Sequence, residues 1–335
     1  MRPTLRLAHC VLLALALALP CSAWAGKARH YAGREDVRAF IAQMVDKHGF
    51  EGAELRALFR HAQYQPTVIT AITPPRTSRA KSWQAYRDNF VNPARIEAGV
   101  AFLEREHAAL ALAAKRYGIP EEIIAAIIGV ETAYGRNTGG YRVIDALATL
   151  AFDYPPRAAF FRAELENFLL YARDTGIDTL GIKGSYAGAI GIPQFMPGSY
   201  RRYAVDFDGE GTPDLSGSFA DAIGSVANFL KEHGWRSGEP VAFAAKVQGE
   251  AYRALVDGGV KPRLRYAELA QSGVSTEGVA NPDELCALIE LTTPDAASEY
   301  LVGLHNFYVI TRYNRSSMYA TAVLQLAQAI KAMAP

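Results

Sequence analysis

The chain has 335 residues, of which 50% are hydrophobic, with 35 Lys and Arg against 34 Asp and Glu. A globular chain of this length can bury a large core in two or three domains. Its formal net charge of +1 provides no electrostatic basis for binding nucleic acid, so no nucleic-acid partner is expected.

The first 25 residues have the pattern of a signal peptide. Arginines precede the apolar run CVLLALALALP, which is too short to span a bilayer comfortably, and residues 23–25 (AWA) form an A-x-A cleavage site. We therefore predict that residues 1–25 are removed from an exported protein. An alternative is that Cys21 accepts a lipoprotein anchor, although Pro20 stands where a lipobox prefers a small residue.

Cysteine usage indicates a chain that folds without disulfides. Cys10 and Cys21 lie in the predicted signal peptide, which leaves only Cys286 in the mature chain. The segment CALIEL around Cys286 has a strand-like composition. This favours a buried structural thiol over a nucleophile.

Helical patterns run from about residue 33 to residue 118. Apolar residues recur at helical spacing in REDVRAFIAQMVDKHG, and Gly49 supplies a stop. After a loop that contains two consecutive prolines, one long helix is predicted to begin at Pro93 and to end at Gly118.

The segment EEIIAAIIGVETAYG, residues 121–135, places a carboxylate among apolar residues. On a helix, Glu131 follows Ile127 by four residues and Ile128 by three, so it shares their apolar face. Burial of a carboxylate is costly unless it is paired or neutral. A structural explanation is a salt bridge to Arg136 or a position at the helix end, and the pattern alone slightly favours it. The chemical explanation is a carboxylic acid kept protonated by apolar surroundings, able to donate a proton as in a glycosidase.

Residues 182–200, IKGSYAGAIGIPQFMPGSY, are rich in glycine and other small residues. Such a segment suits turns or a close approach of the backbone to a ligand. Ser185 and Gln194 are polar groups in it that could hold a ligand. Because Gly/Ala-rich turns are common, this signal is weak when taken alone.

The segment DFDGEGTPD, residues 206–214, matches the first half of an EF-hand calcium loop. Three acidic side chains and then a backbone carbonyl stand at alternating positions, namely Asp206, Asp208, Glu210 and Thr212. Gly211 occupies the sixth position, where such a loop turns sharply. The twelfth position is Gly217 instead of Glu, and Asp221 in the next helix could replace it. Calcium is favoured over magnesium because the ligands are many and flexible, and a surface turn without metal is the alternative.

The pattern changes after Trp235. The segments PVAFAAKV, PRLRYAELA and LCALIELTT are predicted to be short strands in a small insertion at residues 236–292. A helical pattern returns at the C terminus in SMYATAVLQLAQAIKAMA.

Four motifs in this order are long and specific: GVETAYG, GSYAGAIGIPQFMPGSY, DFDGEGTPDL and NFYVITRYNRSSMYA. Together they closely resemble the membrane-bound lytic murein transglycosylase B family, over nearly the whole mature chain from Tyr31 to Ala334. The resemblance implies a mainly α (α+β) fold with a lysozyme-like helical core, an N-terminal helical domain and a small inserted β-containing domain. The expected boundaries are 1–25 for the signal peptide, 26–118 for the helical domain, 119–235 plus 293–335 for the core and 236–292 for the insertion.

The resemblance also implies functional residues, carried over motif by motif. The family's single catalytic acid falls on Glu131, and its calcium loop falls on the acidic positions described above. Phe229 stands where the family has a Tyr in a groove-facing helix, which leaves one substrate hydrogen bond without its hydroxyl. The substrate-binding residues fall on Ser185, Gln194, Tyr313, Asn314, Tyr319, Tyr86 and Arg157.

Some of these assignments have ordinary structural alternatives. Tyr313 and Tyr319 are six residues apart, close to opposite faces of an ideal helix, so a shared groove requires a bend or loop between them. Core packing is favoured for at least one of the two. Arg157 could simply pair with Asp153 or Glu164.

The reaction implied by the resemblance is cleavage of the β-1,4 bond between N-acetylmuramic acid and N-acetylglucosamine in peptidoglycan, with formation of 1,6-anhydromuramic acid ends. Glu131 would act as general acid and then as base, without a cofactor for the chemistry and with calcium in a structural role. The expected partners are glycan strands and cell-wall enzyme complexes, and the expected state is a periplasmic monomer. The alternatives are a hydrolytic muramidase and a non-catalytic peptidoglycan-binding protein on the same fold.

Overall fold

The computed structural model describes residues 31–74, 82–256 and 258–334, and most of its regular structure is helical. The first helices are α1 (Glu35–His48), α2 (Gly52–His61), α3 (Pro66–Ile72), α4 (Trp83–Phe90), α5 (Pro93–Arg105), α6 (His107–Tyr117), α7 (Glu121–Thr132), α8 (Val143–Asp153) and α9 (Ala158–Thr175). The later helices are α10 (Pro197–Tyr203), α11 (Phe219–Glu232), α12 (Arg253–Val256), α13 (Tyr266–Gln271), α14 (His305–Ile310) and α15 (Ser317–Met333). The strands are β1 (Tyr141–Arg142), β2 (Lys183–Gly184), β3 (Ala242–Val247), β4 (Leu264–Arg265), β5 (Val274–Ser275), β6 (Leu285–Leu291) and β7 (Glu299–Gly303). The expected mainly α fold with a small sheet is confirmed.

The predicted signal peptide, residues 1–25, and the alternative lipid acceptor Cys21 lie outside the described residues. Within the part of the chain that is described, no helix is both long and apolar enough to cross a membrane.

The long helix predicted between Pro93 and Gly118 is two helices. Asn92 caps the first, with its side-chain oxygen accepting from the Arg95 N–H at 3.0 Å, and Gly118 ends the second in the left-handed region. Between them the backbone of Glu106 leaves the helical region, at φ −103° and ψ 17°. The break lets α5 pack on α7 and α15 while α6 packs on α11.

Helix α7 lies at the centre of the core. Its residues 123–130 are all buried, and α5, α6, α11 and α15 pack around it. Burial on every side explains why this segment is apolar around its whole circumference. The polar side chains at its C-terminal end are therefore held at a fixed point in the protein.

The insertion after Trp235 forms an antiparallel five-stranded sheet in the order β4-β6-β7-β3-β5. Strand β7 pairs with both β6 and β3, so the sheet extends to Gly303, beyond the predicted boundary at residue 292. The predicted strand PRLRYAELA was mostly wrong. Only Leu264–Arg265 pair with β6, and a helix follows because Glu268 accepts from the Arg265 N–H at 2.7 Å and caps it.

Cys286 is buried in β6, in agreement with the strand expected there. Burial raises the pKa of its thiol to about 11, so the reactive thiolate is suppressed at neutral pH.

Candidate active site

Glu131 stands in the last turn of α7, where the helix is ended by an unusual turn. Ala133 and Tyr134 both adopt the left-handed region, at φ 52° and 61°. The Tyr134 hydroxyl donates to the Arg95 carbonyl at 3.0 Å, and its ring lies over Gly129, where a Cβ would meet the ring at 2.6 Å. Gly129, the first glycine in GVETAYG, thus permits the close contact with Tyr134 that anchors this turn. The anchored turn fixes the direction of Glu131.

The side chain of Glu131 opens into a cavity of about 510 Å³. Residues from α4, α5, the end of α7, the segment after β2 and the start of α15 form its walls. The lining residues are Tyr86, Phe90, Arg95, Val130, Glu131, Thr132, Ala133, Asn137, Tyr186, Asn314 and Tyr319. The arrangement is a mixed aromatic and polar cleft around one acid.

The structural explanation of Glu131 as a salt-bridged residue was wrong. Arg136 is exposed and donates instead to the Ala133 carbonyl at 3.0 Å, and within the described residues Glu131 makes no ion pair. Burial raises the pKa of Glu131 from 4.5 to about 7, and a hydrogen bond from the Tyr319 hydroxyl to its Oε1 at 2.7 Å lowers it only in part. The carboxyl therefore populates both protonation states near neutral pH.

Tyr313 and Tyr319 meet beside Glu131 because the chain bends between α14 and α15. Their rings stack with centroids 6.4 Å apart, and the Tyr313 hydroxyl donates to the Pro193 carbonyl at 2.5 Å. Burial and the nearby Glu131 raise the pKa values of both phenols well above normal, and the pKa of Tyr86 to about 12. The phenols thus remain neutral hydrogen-bond donors in the working range of Glu131.

Ser185 and Gln194 organise the loop next to the cavity. Ser185 Oγ accepts from the Ala189 N–H at 3.0 Å, and the Gln194 side-chain amide donates to the carbonyls of Thr138 and Gly191 at 3.0 and 2.8 Å. Neither residue is part of the cavity lining. Substrate contact by these two residues stays a prediction.

Arg157 lies apart from the cavity. It is exposed, and its guanidinium covers the rings of Phe160 and Phe161 at 4.5 and 5.0 Å. The two pairs considered from sequence are not formed, because Asp153 binds Arg34 at 2.6 Å and Glu164 accepts from the backbone of α10.

Phe229 is buried next to Tyr313. Its ring contacts Tyr313 at 4.8 Å and stacks on His233 at 4.0 Å between centroids. Phe229 is not part of the cavity lining, and the loss of one substrate hydrogen bond at this position stays a prediction.

Sequence reasoning missed seven residues that line the cavity. Three are neighbours of Glu131, namely Val130, Thr132 and Ala133, and the others are Phe90, Arg95, Asn137 and Tyr186. Arg95 donates to the Gly129 carbonyl in the last turns of α7 and lies 5.7 Å from the centre of the Phe90 ring. The three neighbours of Glu131 lie inside the motif GVETAYG and Tyr186 lies inside GSYAGAIGIPQFMPGSY, so these four carried a signal in the sequence.

The segment that follows α10 and includes the first turn of α11, residues 206–221 and hereafter the acidic loop, brings three carboxylates together. One oxygen each of Asp206, Asp208 and Asp221 lies within 4.8 Å of the others. Asp221 is only 1% exposed and accepts from the N–H groups of Phe207, Asp208 and Asp214 at 2.6, 3.2 and 2.7 Å. Glu210 and Thr212 line a small cavity together with Asp208 and Asp221. This all-oxygen donor set fits a hard divalent cation.

Comparison with known proteins matches residues 32–328 to the family described as the transglycosylase SLT domain. The chain is 42% identical over 309 residues to the membrane-bound lytic murein transglycosylase B of Escherichia coli (strain K12), covering 90% of this chain and 84% of that protein. The structure of the soluble lytic transglycosylase SltB1 from Pseudomonas aeruginosa superposes with a TM-score of 0.83 at 49% identity, covering 89% and 98% of the two chains. That of the Escherichia coli lytic transglycosylase Slt35 in complex with calcium superposes with a TM-score of 0.81 at 42% identity, covering 90% and 94%.

Proposed function

The chain belongs to the transglycosylase SLT domain family, and from this premise we propose that Glu131 catalyses the family's reaction without a second carboxylate, first as general acid and then as general base. The chain is a lytic transglycosylase that acts on peptidoglycan, as its relatives at 42–49% identity over most of its length support. Its fold is the lysozyme-like one of these enzymes.

One observation carries the proposed role of Glu131. Among the described residues that line the cavity, it is the only one with a carboxyl group. Hydrolytic glycosidases place a second carboxylate about 5–9.5 Å from the acid, as nucleophile or as base for water. With a single carboxyl, one group gives its proton to the leaving oxygen and later takes a proton from the attacking hydroxyl.

The surroundings of Glu131 suit both halves of this cycle. Its pKa of about 7 makes the protonated acid abundant near neutral pH, as proton donation requires. After the transfer, the Tyr319 hydroxyl donates to the carboxylate and stabilises the base form. Proton donation and proton removal are then both accessible at one pH.

The attacking group in this scheme is the C6 hydroxyl of the muramic acid residue itself. The bond from C1 to the glycosidic oxygen breaks as Glu131 protonates that oxygen, and the N-acetyl group assists at C1. The C6 oxygen then bonds to C1 as Glu131 takes its proton, which closes the 1,6-anhydro ring without water. Intramolecular attack is favoured because effective molarities can reach about 10⁵ M or more.

The proposed substrate contacts follow the cavity walls. Tyr86, Asn314 and Tyr319 line the cavity directly, while Tyr313 supports the ring of Tyr319 from behind. Contacts by Ser185, Gln194 and Arg157 are proposed from the family resemblance. The proposed substrates are glycan strands. We propose that residues 1–25 direct export as a signal peptide and that the mature enzyme acts as a monomer in the periplasm.

A calcium ion is proposed to bind the acidic loop, in a structural role. The convergence of Asp206, Asp208 and Asp221 supports it, and Glu210 and the Thr212 carbonyl would complete the set. The structure of Slt35 in complex with calcium gives independent support. The ion would hold the loop together and would supply none of the reacting groups.

The products formed from purified murein sacculi distinguish the proposed reaction from its alternatives. We expect glycan fragments with 1,6-anhydromuramic acid ends, identified by mass spectrometry. New reducing ends would indicate a hydrolytic muramidase, and no release of fragments would indicate a binding protein.

Replacing Tyr319 by Phe is expected to raise the pKa of Glu131 further. The hydroxyl stabilises the charged carboxylate, so without it the effect of burial is unopposed. Because the reaction starts from protonated Glu131, the alkaline limb of the pH–rate profile should move to higher pH. Tyr308→Phe on α14 is the control, since Tyr308 is not part of the cavity lining. An alkaline limb at the wild-type position in Tyr319→Phe would contradict this role of the hydrogen bond.

A further inference from the structure

Thr132, the residue after Glu131, connects the end of α7 to a neighbouring loop. Its side chain is 1% exposed, and its hydroxyl donates to the Ile192 carbonyl at 2.8 Å. The same oxygen accepts from the Gly135 N–H at 3.0 Å. One buried hydroxyl thus ties the last turn of α7, the strained turn that follows it and residues 191–195 together.

The loop held by Thr132 is bonded in turn to the acidic loop. The Ile192 N–H donates to the Leu215 carbonyl at 2.7 Å. The approach is so close that a Cβ on Gly191, at φ 75°, would lie 2.4 Å from that carbonyl oxygen. Leu215 is buried, and its N–H donates to the Tyr200 hydroxyl at 3.3 Å. The backbone on both sides of this link is therefore fixed.

Leu215 also follows directly after Asp214, a residue that is held by a carboxylate of the acidic loop. The buried carboxylate of Asp221 accepts from the Asp214 N–H at 2.7 Å. The Tyr200 hydroxyl donates to the Pro213 carbonyl at 2.7 Å. Asp214, which Asp221 holds, is therefore adjacent to Leu215 in the chain. Two hydrogen bonds, from Ile192 to Leu215 and from Thr132 to Ile192, complete the connection to Thr132.

We propose that Thr132 is a positioning residue that transmits the state of the acidic loop to Glu131 through Ile192 and Leu215. The inference rests on the proposed roles of Glu131 and of calcium. With the cation bound, the acidic loop holds Leu215 and Ile192 in place, and Thr132 holds the carboxyl in its productive direction. Without it the connection loosens, and the left-handed turn after Glu131 loses part of what keeps it in place.

Two substitutions of Thr132 separate its hydroxyl from its shape. Thr132→Val replaces the hydroxyl by a methyl group and leaves the Ile192 carbonyl and the Gly135 N–H without this partner, whereas Thr132→Ser keeps the hydroxyl. With calcium present, kcat on purified glycan strands is expected to fall about 10–100-fold in Thr132→Val with little change in KM, because a small misplacement of the acid acts on chemistry. Thr132→Ser is expected to restore most of the rate.

If Thr132 had only a structural role, Thr132→Val would leave the response of kcat to calcium unchanged. This response is therefore the decisive readout. In the wild type, chelation is expected to lower kcat by about fivefold or more, a typical coupling between sites. In Thr132→Val, kcat should be nearly insensitive to calcium, while calcium still raises its melting temperature. A wild-type kcat in Thr132→Val, or a calcium response of kcat that persists in it, overturns the inference.

A second variant tests the other link in case Thr132→Val fails to fold. Gly191→Ala forces the Leu215 carbonyl away from the Ile192 N–H, so kcat should again lose its calcium response while calcium still raises the melting temperature. A wild-type kcat and calcium response in Gly191→Ala contradict the proposed connection. If the proposed role of Glu131 is wrong, Glu131→Gln remains active. This outcome is distinct from failure of the present inference, which the Thr132 and Gly191 variants report.

Discussion

Glu131→Gln is expected to lose the release of anhydro ends almost completely, by about 10²–10⁴-fold, the usual contribution of a general acid and base. The amide has the size of the carboxyl and can still accept from the Tyr319 hydroxyl, but it has no proton of suitable pKa to give. The rate of release from murein sacculi measures the effect. Glu122→Gln, near the start of the same helix, is the matched control and should keep wild-type activity, because Glu122 binds Lys331 at the surface. Activity near the wild-type level in Glu131→Gln would remove Glu131 from the reaction.

The same substitution is expected to stabilise the protein, which excludes misfolding as the cause of lost activity. Because the pKa of Glu131 is raised from 4.5 to about 7 in the folded state, the unfolded chain releases this proton first as the pH rises. The wild type therefore loses about 3 kcal/mol of stability between pH 4.5 and 7, and Glu131→Gln does not. The variant should melt higher than the wild type at pH 7, and the difference should vanish near pH 4.

Asp221→Ala is expected to cause the largest loss of stability in the acidic loop. Its carboxylate accepts from three backbone N–H groups in a buried position, and each donor left unsatisfied costs about 1–3 kcal/mol. We expect a melting temperature lower by about 5 °C or more. Calcium at about 100 times its Kd should add about 2.7 kcal/mol of stability to the wild type and little to the variant.

Asp174→Asn is the control for Asp221→Ala, since Asp174 is exposed and makes only surface ion pairs. It should retain both the wild-type melting temperature and its rise with calcium. If calcium and a chelator leave the melting temperature of the wild type unchanged, the acidic loop is not a calcium site.

The helices could be predicted wherever local signals end them. Gly49 and Gly118 both adopt the left-handed conformation that closes a helix, as their positions after apolar patterns indicated. The break at Glu106 had no such signal, because neither Gly nor Pro stands there, and it is visible only in the packing of α5 on α15 and of α6 on α11. Strand β7 was missed because its five residues become a strand only by pairing with two neighbours in the sheet.

The candidate site was predictable in its centre and much less at its walls. Glu131 was conspicuous as an acid in an apolar helix, and the bend required between Tyr313 and Tyr319 is present. The hydrogen bond between Tyr319 and Glu131 joins residues 188 positions apart, so it depends on how α15 packs on α7. Arg95 resembles any surface residue in the first turn of a helix, and only the fold brings it to the cavity.

A carbon-13 NMR titration of the Glu131 carboxyl tests the central claim most directly, namely that apolar burial holds this acid protonated near neutral pH. Glutamate labelled at the carboxyl carbon gives the signals, and the one missing from Glu131→Gln identifies Glu131. We expect its midpoint near pH 7. A midpoint near 4.5, the value of an ordinary glutamate, would contradict the claim.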